Sequence, residues 1–169
     1  DMATARKENQ SGQTGSSTAG VAMGGNTGPG ADIDTTEEFT KSANVITAAA
    51  WSSGGSLNSG RRDLGGFGTK TAAAAISGDS DPGYAGNVEE YNGSAWSEVT
   101  DIGTSRKEMG SAGSQTAGVV YGGYNGSNLS ATEEYDGTNW TSGGALSTAR
   151  RTYAGLGIQT AALAYGGYI

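Results

Sequence analysis

The chain has 169 residues, with no Cys, no His and 10 basic against 17 acidic residues, for a formal charge of −7. Without Cys there is no disulfide framework or thiolate chemistry, and without His there is no imidazole base and no common metal ligand. The acidic balance argues against nucleic acid as a partner, because phosphate binding needs a basic face. No run of about 18 apolar residues exists, so no membrane insertion is expected.

Gly is abundant at 31 residues and Pro is scarce at 2. Such a composition fits either a low-complexity chain or a β-array with many tight turns. The glycines recur at fixed positions between short apolar runs with Trp and Tyr, which favours the ordered β reading. No segment has a helical period. The Ala72 to Ala75 run is helix-prone, but its repeat counterparts Val119-Val120 and Leu163-Ala164 favour strand.

Taken in order, the chain is a tandem repeat. Each unit opens on a basic pair: Arg6-Lys7, Arg61-Arg62, Arg106-Lys107 and Arg150-Arg151, spaced 55, 45 and 44 residues apart. Eight of the ten basic residues lie in these pairs, so positive charge is held in repeat register. A Gly-punctuated strand follows, as in Leu64-Gly65-Gly66-Phe67-Gly68 and Met109-Gly110-Ser111-Ala112-Gly113, whose small residues suit close packing against a neighbour. In the first unit the corresponding stretch, Glu8 to Ser17, is wholly polar, and an exposed or poorly formed strand is expected there.

Next comes an apolar run closed by glycines: Ala19 to Met23, Ala72 to Ile76, Ala117 to Tyr121 and Ala161 to Tyr165. Short apolar runs bounded by Gly predict strands buried on both faces, lining the centre of a radial array. A variable loop follows at Asn26 to Thr36, Asp79 to Val88 and Tyr124 to Thr132. Then come a Glu pair and an aromatic: Glu37-Glu38-Phe39, Glu89-Glu90-Tyr91 and Glu133-Glu134-Tyr135. Asn92-Gly93 before Trp96 and Asp136-Gly137 before Trp140 predict tight hairpins with type I′ turns. The first unit expands that turn to Thr40 to Ala50 before Trp51. An apolar residue, Leu57, Ile102 or Leu146, sits six positions after each Trp, and ten after it comes the next basic pair. Met2 and Asp1 align with the tail of a preceding unit.

Four strands per unit of roughly 45 residues, with a Gly pair, Glu, aromatic, Trp and Arg in fixed order, is a propeller-blade layout. The set Gly122-Gly123, Glu133, Tyr135, Trp140, Leu146 and Arg150, with equivalents in the other units, resembles the kelch repeat. The resemblance covers essentially the whole chain, with Ser77 departing from the Gly pair. The Gly-rich dialect, with Ser114-Gln115-Thr116-Ala117-Gly118 and Ile158-Gln159-Thr160-Ala161-Ala162, is similar in style to kelch-like repeats of phage tail fibres. The expected fold is therefore all-β, with about three and a half four-stranded antiparallel blades in a single array. Its approximate units are 1–60, 61–105, 106–149 and a partial 150–169. That is short of a ring, so closure is expected from a longer polypeptide or from other copies.

The Glu pairs look at first like carboxylates for acid–base work. Adjacent strand residues point to opposite faces, however, so Glu89 and Glu90 should not converge on a substrate. A structural role is expected: one Glu of each pair, Glu89 or Glu133, meets an Arg of a basic pair such as Arg106 or Arg150, with Trp96 and Trp140 packing the blade. Asp32-Ile33-Asp34 and Asp79-Ser80-Asp81 lack the spacing of a Ca²⁺ loop and are read as solvated loop acids. The copper site of galactose oxidase, an enzyme on a kelch-like propeller, needs His and a Cys–Tyr crosslink that this chain cannot supply. No catalytic residue, cofactor or metal is expected.

The variable loops are where such a scaffold would present a binding face. Tyr84, Tyr124, Asn125 and Asn128 are of the types that stack on sugars and bond hydroxyls; ordinary loop residues are the plainer alternative. The resemblance implies a non-catalytic tail-fibre-like module for host-surface glycan or protein recognition, located on a virion or outside the cell. Other copies or flanking parts of the same fibre would be its partners. The alternative is a purely structural or assembly module of a virion or appendage.

Overall fold

The computed structural model describes residues 10–11, 19–26, 28, 32, 34, 36–40, 50–151 and 154–169. Within them the protein is all-β, with every strand pairing antiparallel. The first sheet runs β1 (Gln10–Ser11), β2 (Ala19–Met23), β3 (Thr36–Thr40) and β4 (Ala50–Ser53). The second is β5 (Gly65–Thr69), β6 (Ala72–Ser80), β7 (Gly83–Tyr91) and β8 (Trp96–Val99). The third is β9 (Gly110–Ser114), β10 (Ala117–Tyr121), β11 (Thr132–Tyr135) and β12 (Trp140–Ser142). A two-stranded sheet, β13 (Ala154–Ile158) and β14 (Ala161–Tyr165), ends the chain. Each sheet is a meander in chain order, consistent with a blade; among the described residues no ring closure is seen.

The aromatic hairpins form in every full unit. Phe39 pairs with Trp51, Tyr91 with Trp96 and Tyr135 with Trp140. The turn differs from the type I′ expectation. In the second and third sheets four residues separate the paired aromatics, and of these only Gly93 and Gly137 take positive φ, at 93° each. Asn92 Oδ1 accepts the N–H groups of Ser94 and Ala95, both at 3.0 Å. Asp136 Oδ1 accepts those of Thr138 and Asn139 at 2.8 and 2.7 Å. The side chain thus caps a wider loop, a use of Asx residues that competes with the two-residue turn.

A second difference concerns Asp79 to Val88. It is not an open loop but the extended tip of the β6–β7 hairpin, continuing past a register shift between Ile76 and Gly78. At that shift Ser77 takes φ 53°, where the other units have Gly24 at 59° and Gly122 at 59°. A non-Gly residue there costs about 1 kcal/mol or more. Its hydroxyl offsets this: Oγ lies 2.6 Å from the carbonyls of Ala85 and Arg106 and accepts the Arg106 N–H at 2.9 Å.

The Gly-rich strands, rather than the apolar ones, are the edges that converge. β5, β9 and β13 lie side by side at the edges of their sheets. Small residues allow that approach: Gly66 N–H donates to Ser111 Oγ at 3.1 Å, and the Ser111 hydroxyl donates back to the Gly66 carbonyl at 2.9 Å. The apolar strands sit second in each sheet, and in β6 the residues Ala73 to Ile76 are fully buried. β14 departs from expectation, with Leu163 56% and Tyr165 47% exposed. β14 pairs only with β13 among the described residues, so the neighbours that bury β6 and β10 are lacking. In the first unit only Gln10–Ser11 of the expected weak strand is described, and Arg6-Lys7, Met2 and residues 41–49 lie outside the described residues.

The cores lie between sheets rather than within them. One joins Met23 and Leu57 of the first unit to Leu64, Ala73, Ala75, Tyr91 and Trp96 of the second. Another joins Phe67, Ala74, Ile76, Val88 and Ile102 to Met109, Val120 and Tyr135. Phe67 rests on Gly118, where a Cβ would lie 2.0 Å from its ring.

Candidate functional site

The Glu strand and the basic pair build one joint in the second unit and one in the third. Arg61 and Glu89, both fully buried, approach to 3.1 Å. Glu89 Oε2 also accepts the backbone N–H and the side-chain amide of Asn58, at 2.7 and 2.8 Å. In the third sheet the Arg106 guanidinium, 0% exposed, donates to Glu133 Oε1. It further donates to the carbonyls of Gly122, Ala131 and Thr104. Glu133 accepts the Gly103 and Thr104 N–H groups at 2.8 and 3.1 Å. Burial pushes the Arg61 pKa below its ordinary value, with the Glu89 charge acting against that. Each carboxylate is thus tied to an arginine and to fixed N–H donors, Asn58 for Glu89 and Gly103 with Thr104 for Glu133.

The second Glu of the first two pairs takes a different partner. Glu38 accepts the Tyr91 hydroxyl at 2.7 Å, and Glu90 accepts the Tyr135 hydroxyl at 3.0 Å. Each is a bond from one unit to the unit before it. Burial and these hydrogen bonds raise the pKa of both Tyr91 and Tyr135. The tryptophans complete the joint. Trp96 Nε1 donates to Thr36 Oγ1 and the Gly55 carbonyl at 3.0 and 3.1 Å. Trp140 Nε1 donates to the Thr100 carbonyl at 3.1 Å and stacks on Tyr135 at 4.7 Å between centroids. Arg150 sits in register with Arg106 and donates to the Gly166 carbonyl at 3.0 Å.

Two residues that the sequence reading assigned no role turn out to link units. Gln115 Nε2 donates to the carbonyls of Ala73 and Tyr91 at 3.1 and 2.9 Å. Gln159 repeats this on Gly118 and Tyr135 at 3.2 and 2.8 Å. Their recurrence in the Gln-Thr-Ala dialect was the available signal. Lys70 holds the same position in the second unit and reaches Thr40 Oγ1 at 2.8 Å.

The second residue of each basic pair builds a surface ladder. Arg62, Lys107 and Arg151 form backbone bridges with Asp79, Tyr124 and Tyr168, the residues just after Ser77-Gly78, Gly122-Gly123 and Gly166-Gly167. Arg62 bonds both Asp32 and Asp79 at 2.9 Å, and Lys107 reaches Asp79 at 2.8 Å. Asp32 and Asp79 are therefore ion-paired, not solvated loop acids. The hydrogen bond to Asp32 heads the causes that raise the Arg62 pKa. For Lys107, partial burial pulls downward, but Asp79 with Asp63 and Glu108 outweighs it and the net shift is upward. Among the described residues no three acidic groups converge as a metal site would require.

The candidate binding residues sit on this ladder. Tyr84 and Tyr124 meet edge to face, 6.2 Å between centroids. The Lys107 ammonium lies 5.9 Å from the Tyr84 ring. The Arg151 guanidinium lies 4.2 Å from Tyr124 and 5.2 Å from Tyr168. Asn128 is bridged to Tyr124 across one turn, while Asn125 is exposed at its tip. Tyr124 is thus engaged by Arg151 and Tyr84, whereas Tyr84 and Tyr168 are 36% and 63% exposed. Tyr168 was missed because its role depends on the Arg151 cation from another strand. No protein-family model matches the chain, and comparison with curated proteins finds no match.

Proposed function

We propose that the chain is a kelch-like β-propeller array that recognises a host-surface glycan or protein without catalysis, as a tail-fibre-like module would. The observation that carries this reading is the ledge of Tyr84, Tyr124 and Tyr168 interleaved with Lys107 and Arg151. Exposed aromatic faces with nearby fixed donors suit a sugar ring, which offers an apolar face and hydroxyl edges. The cations on the ledge are largely matched by acids and the whole chain is acidic, so a neutral glycan fits better than a polyanionic one. The propeller reading is supported by the converging edges of β5, β9 and β13. The absence of His and Cys and the locked state of Glu89 and Glu133 favour a non-catalytic role.

The second reading, a structural or assembly module, is favoured by the exposed apolar surface of β13 and β14. A neutral-glycan panel and intact host cells distinguish the two. Saturable binding that falls at least about tenfold in both Tyr84→Ala and Tyr168→Ala, a loss of about 1.4 kcal/mol each, supports recognition. No binding to either surface, with concentration-dependent self-association, refutes it and favours assembly.

A further inference from the structure

The second and third units differ beside their buried glutamates. Asn58 and Gly103 hold one repeat position, each three residues before its arginine. The backbone N–H of each donates to its glutamate, Asn58 to Glu89 Oε2 at 2.7 Å and Gly103 to Glu133 Oε2 at 2.8 Å. In the second unit the Asn58 side chain then folds back over the carboxylate. Its Nδ2 donates to Glu89 Oε2 at 2.8 Å and to the Trp96 carbonyl at 3.4 Å. Gly103 has no side chain with which to do this. Two further repeat positions, Glu98 and Asp101 in the second unit, are Ser142 and Ala145 in the third.

These smaller residues leave an open cleft of about 360 Å³ over Glu133, lined also by Thr104 and Gly143. Its floor is rigid, because Glu133 is 6% exposed and is held by Arg106, Gly103 and Thr104. A carboxylate has about four acceptor positions on its two oxygens. Arg106 and Thr104 donate to Oε1, and Gly103 donates to Oε2. The second position on Oε2, which Asn58 Nδ2 takes in the second unit, lies on the side where Gly103 carries no atoms. The Trp140 carbonyl stands in the register of Trp96, opposite a tyrosine on the outer strand of its sheet. In the second unit Asn58, Glu98 and Asp101 stay exposed although a complete unit follows, so a following unit does not cover this position.

We propose that the cleft over Glu133 is a binding site for an uncharged ligand that carries a primary carboxamide. The amide nitrogen has two N–H groups, one for Glu133 Oε2 and one for the Trp140 carbonyl, as the Asn58 amide has for Glu89 and Trp96. A hydroxyl has one proton and reaches only one of these acceptors. Charge selects against the alternatives. A carboxylate ligand meets the like charge of Glu133, and an ammonium ligand meets the Arg106 guanidinium that already neutralises it. A cleft of this volume lies at the lower end of the range that small ligands occupy, so it takes the amide together with a short stem. The site shares no residue with the tyrosine ledge, and the inference stands apart from the glycan reading.

The probe is N-acetyl-L-asparagine methylamide, titrated into the isotope-labelled full chain and followed by two-dimensional amide NMR spectra. Saturable shifts are expected at the amides of Gly103, Thr104 and Gly143, with a dissociation constant of about a millimolar, as a few hydrogen bonds sustain. The leucine and aspartate counterparts of the probe should bind at least about tenfold more weakly, since each lacks the donor to a charged acceptor. Gly103→Asn supplies the amide from within and should weaken the probe by at least about tenfold. A Cβ there would lie 2.8 Å from Glu133 Oε2, a crowding that Glu89 accommodates beside Asn58. Ala145→Trp, at an exposed position on the cleft, should block the probe while leaving the far-UV spectrum unchanged. It keeps the test decisive if Gly103→Asn fails to fold. Absence of saturable shifts at the three amides overturns the proposal. Equal binding of either counterpart also overturns it, as does binding that neither Gly103→Asn nor Ala145→Trp weakens.

Discussion

Removing the Glu133 carboxylate gives the sharpest measure of what the joint contributes. Glu133→Ala leaves the Arg106 guanidinium, 0% exposed, without its counter-charge. Taking one partner from a buried ion pair typically costs about 3 to 5 kcal/mol, because the remaining charge stays desolvated. The Gly103 and Thr104 N–H groups also lose their acceptor, but both residues are accessible enough for water to replace it, so they add little. For a chain of this size each kcal/mol shifts Tm by roughly 2 to 4 °C, so a fall of about 6 to 20 °C is expected. Circular dichroism melting measures it directly. Glu133→Gln, which keeps a carbonyl oxygen, should fall between the parent and the alanine variant. The pair Arg106→Met with Glu133→Leu should recover much of the loss, since well-packed apolar residues can replace a buried pair. A Glu133→Ala melt within about 1 °C of the parent would refute the assignment of this joint.

Two further perturbations test other parts of the fold. Phe67 fills the space beside Gly118, so Gly118→Ala overpacks a fully buried contact and should cost about 1 to 3 kcal/mol in urea unfolding. Phe67→Leu in the same chain should restore part of that loss, and no recovery would mean the contact is not the cause. Burial pushes the Tyr121 hydroxyl up to about 12, and burial with the Glu90 hydrogen bond raises Tyr135 as well, against about 10 in an unfolded chain. The folded state therefore holds these protons more tightly. Its stability from them is intact below pH about 10 and is lost as pH rises through about 12, by about 3 kcal/mol for Tyr121. Urea midpoints between pH 8 and 12 should fall in the parent and fall less in Tyr121→Phe; equal slopes would count against it.

The repeat was legible because its marks are local and recur in phase: basic pair, glycines, Glu pair, aromatic and Trp. These fix the strand order and the hairpins, and Glu89 against Glu90 could be sent to opposite faces from strand geometry alone. What the sequence hid lies between units. The expected type I′ turn at Asn92 gave way to a side-chain cap, because an Asx acceptor can satisfy two N–H groups that a two-residue turn would leave elsewhere. The expected loop at Asp79 to Val88 became strand because its pairing partners lie across its own tip. The bonds of Gln159 to Gly118 and Tyr135, and the seating of Arg151 between two tyrosines, depend on how sheets dock. No propensity encodes that docking. The candidate face was half legible: Tyr84 and Tyr124 meet as neighbours, but the more exposed Tyr168 emerges only from the three-dimensional ladder.

The placement of the cores between sheets sets what can be inherited as a module. A sheet copied alone would carry half of two cores and complete neither. A tandem duplication of a 44- or 45-residue window taken after Arg61, where the basic pairs keep that spacing, behaves differently. Wherever it begins, it reproduces each partner of every joint once and leaves all existing joints intact. The breakpoints of lengthening or shortening events are then unconstrained in position but strictly constrained in length, so an array of this kind can change its reach by whole periods while its surface ladder stays in phase.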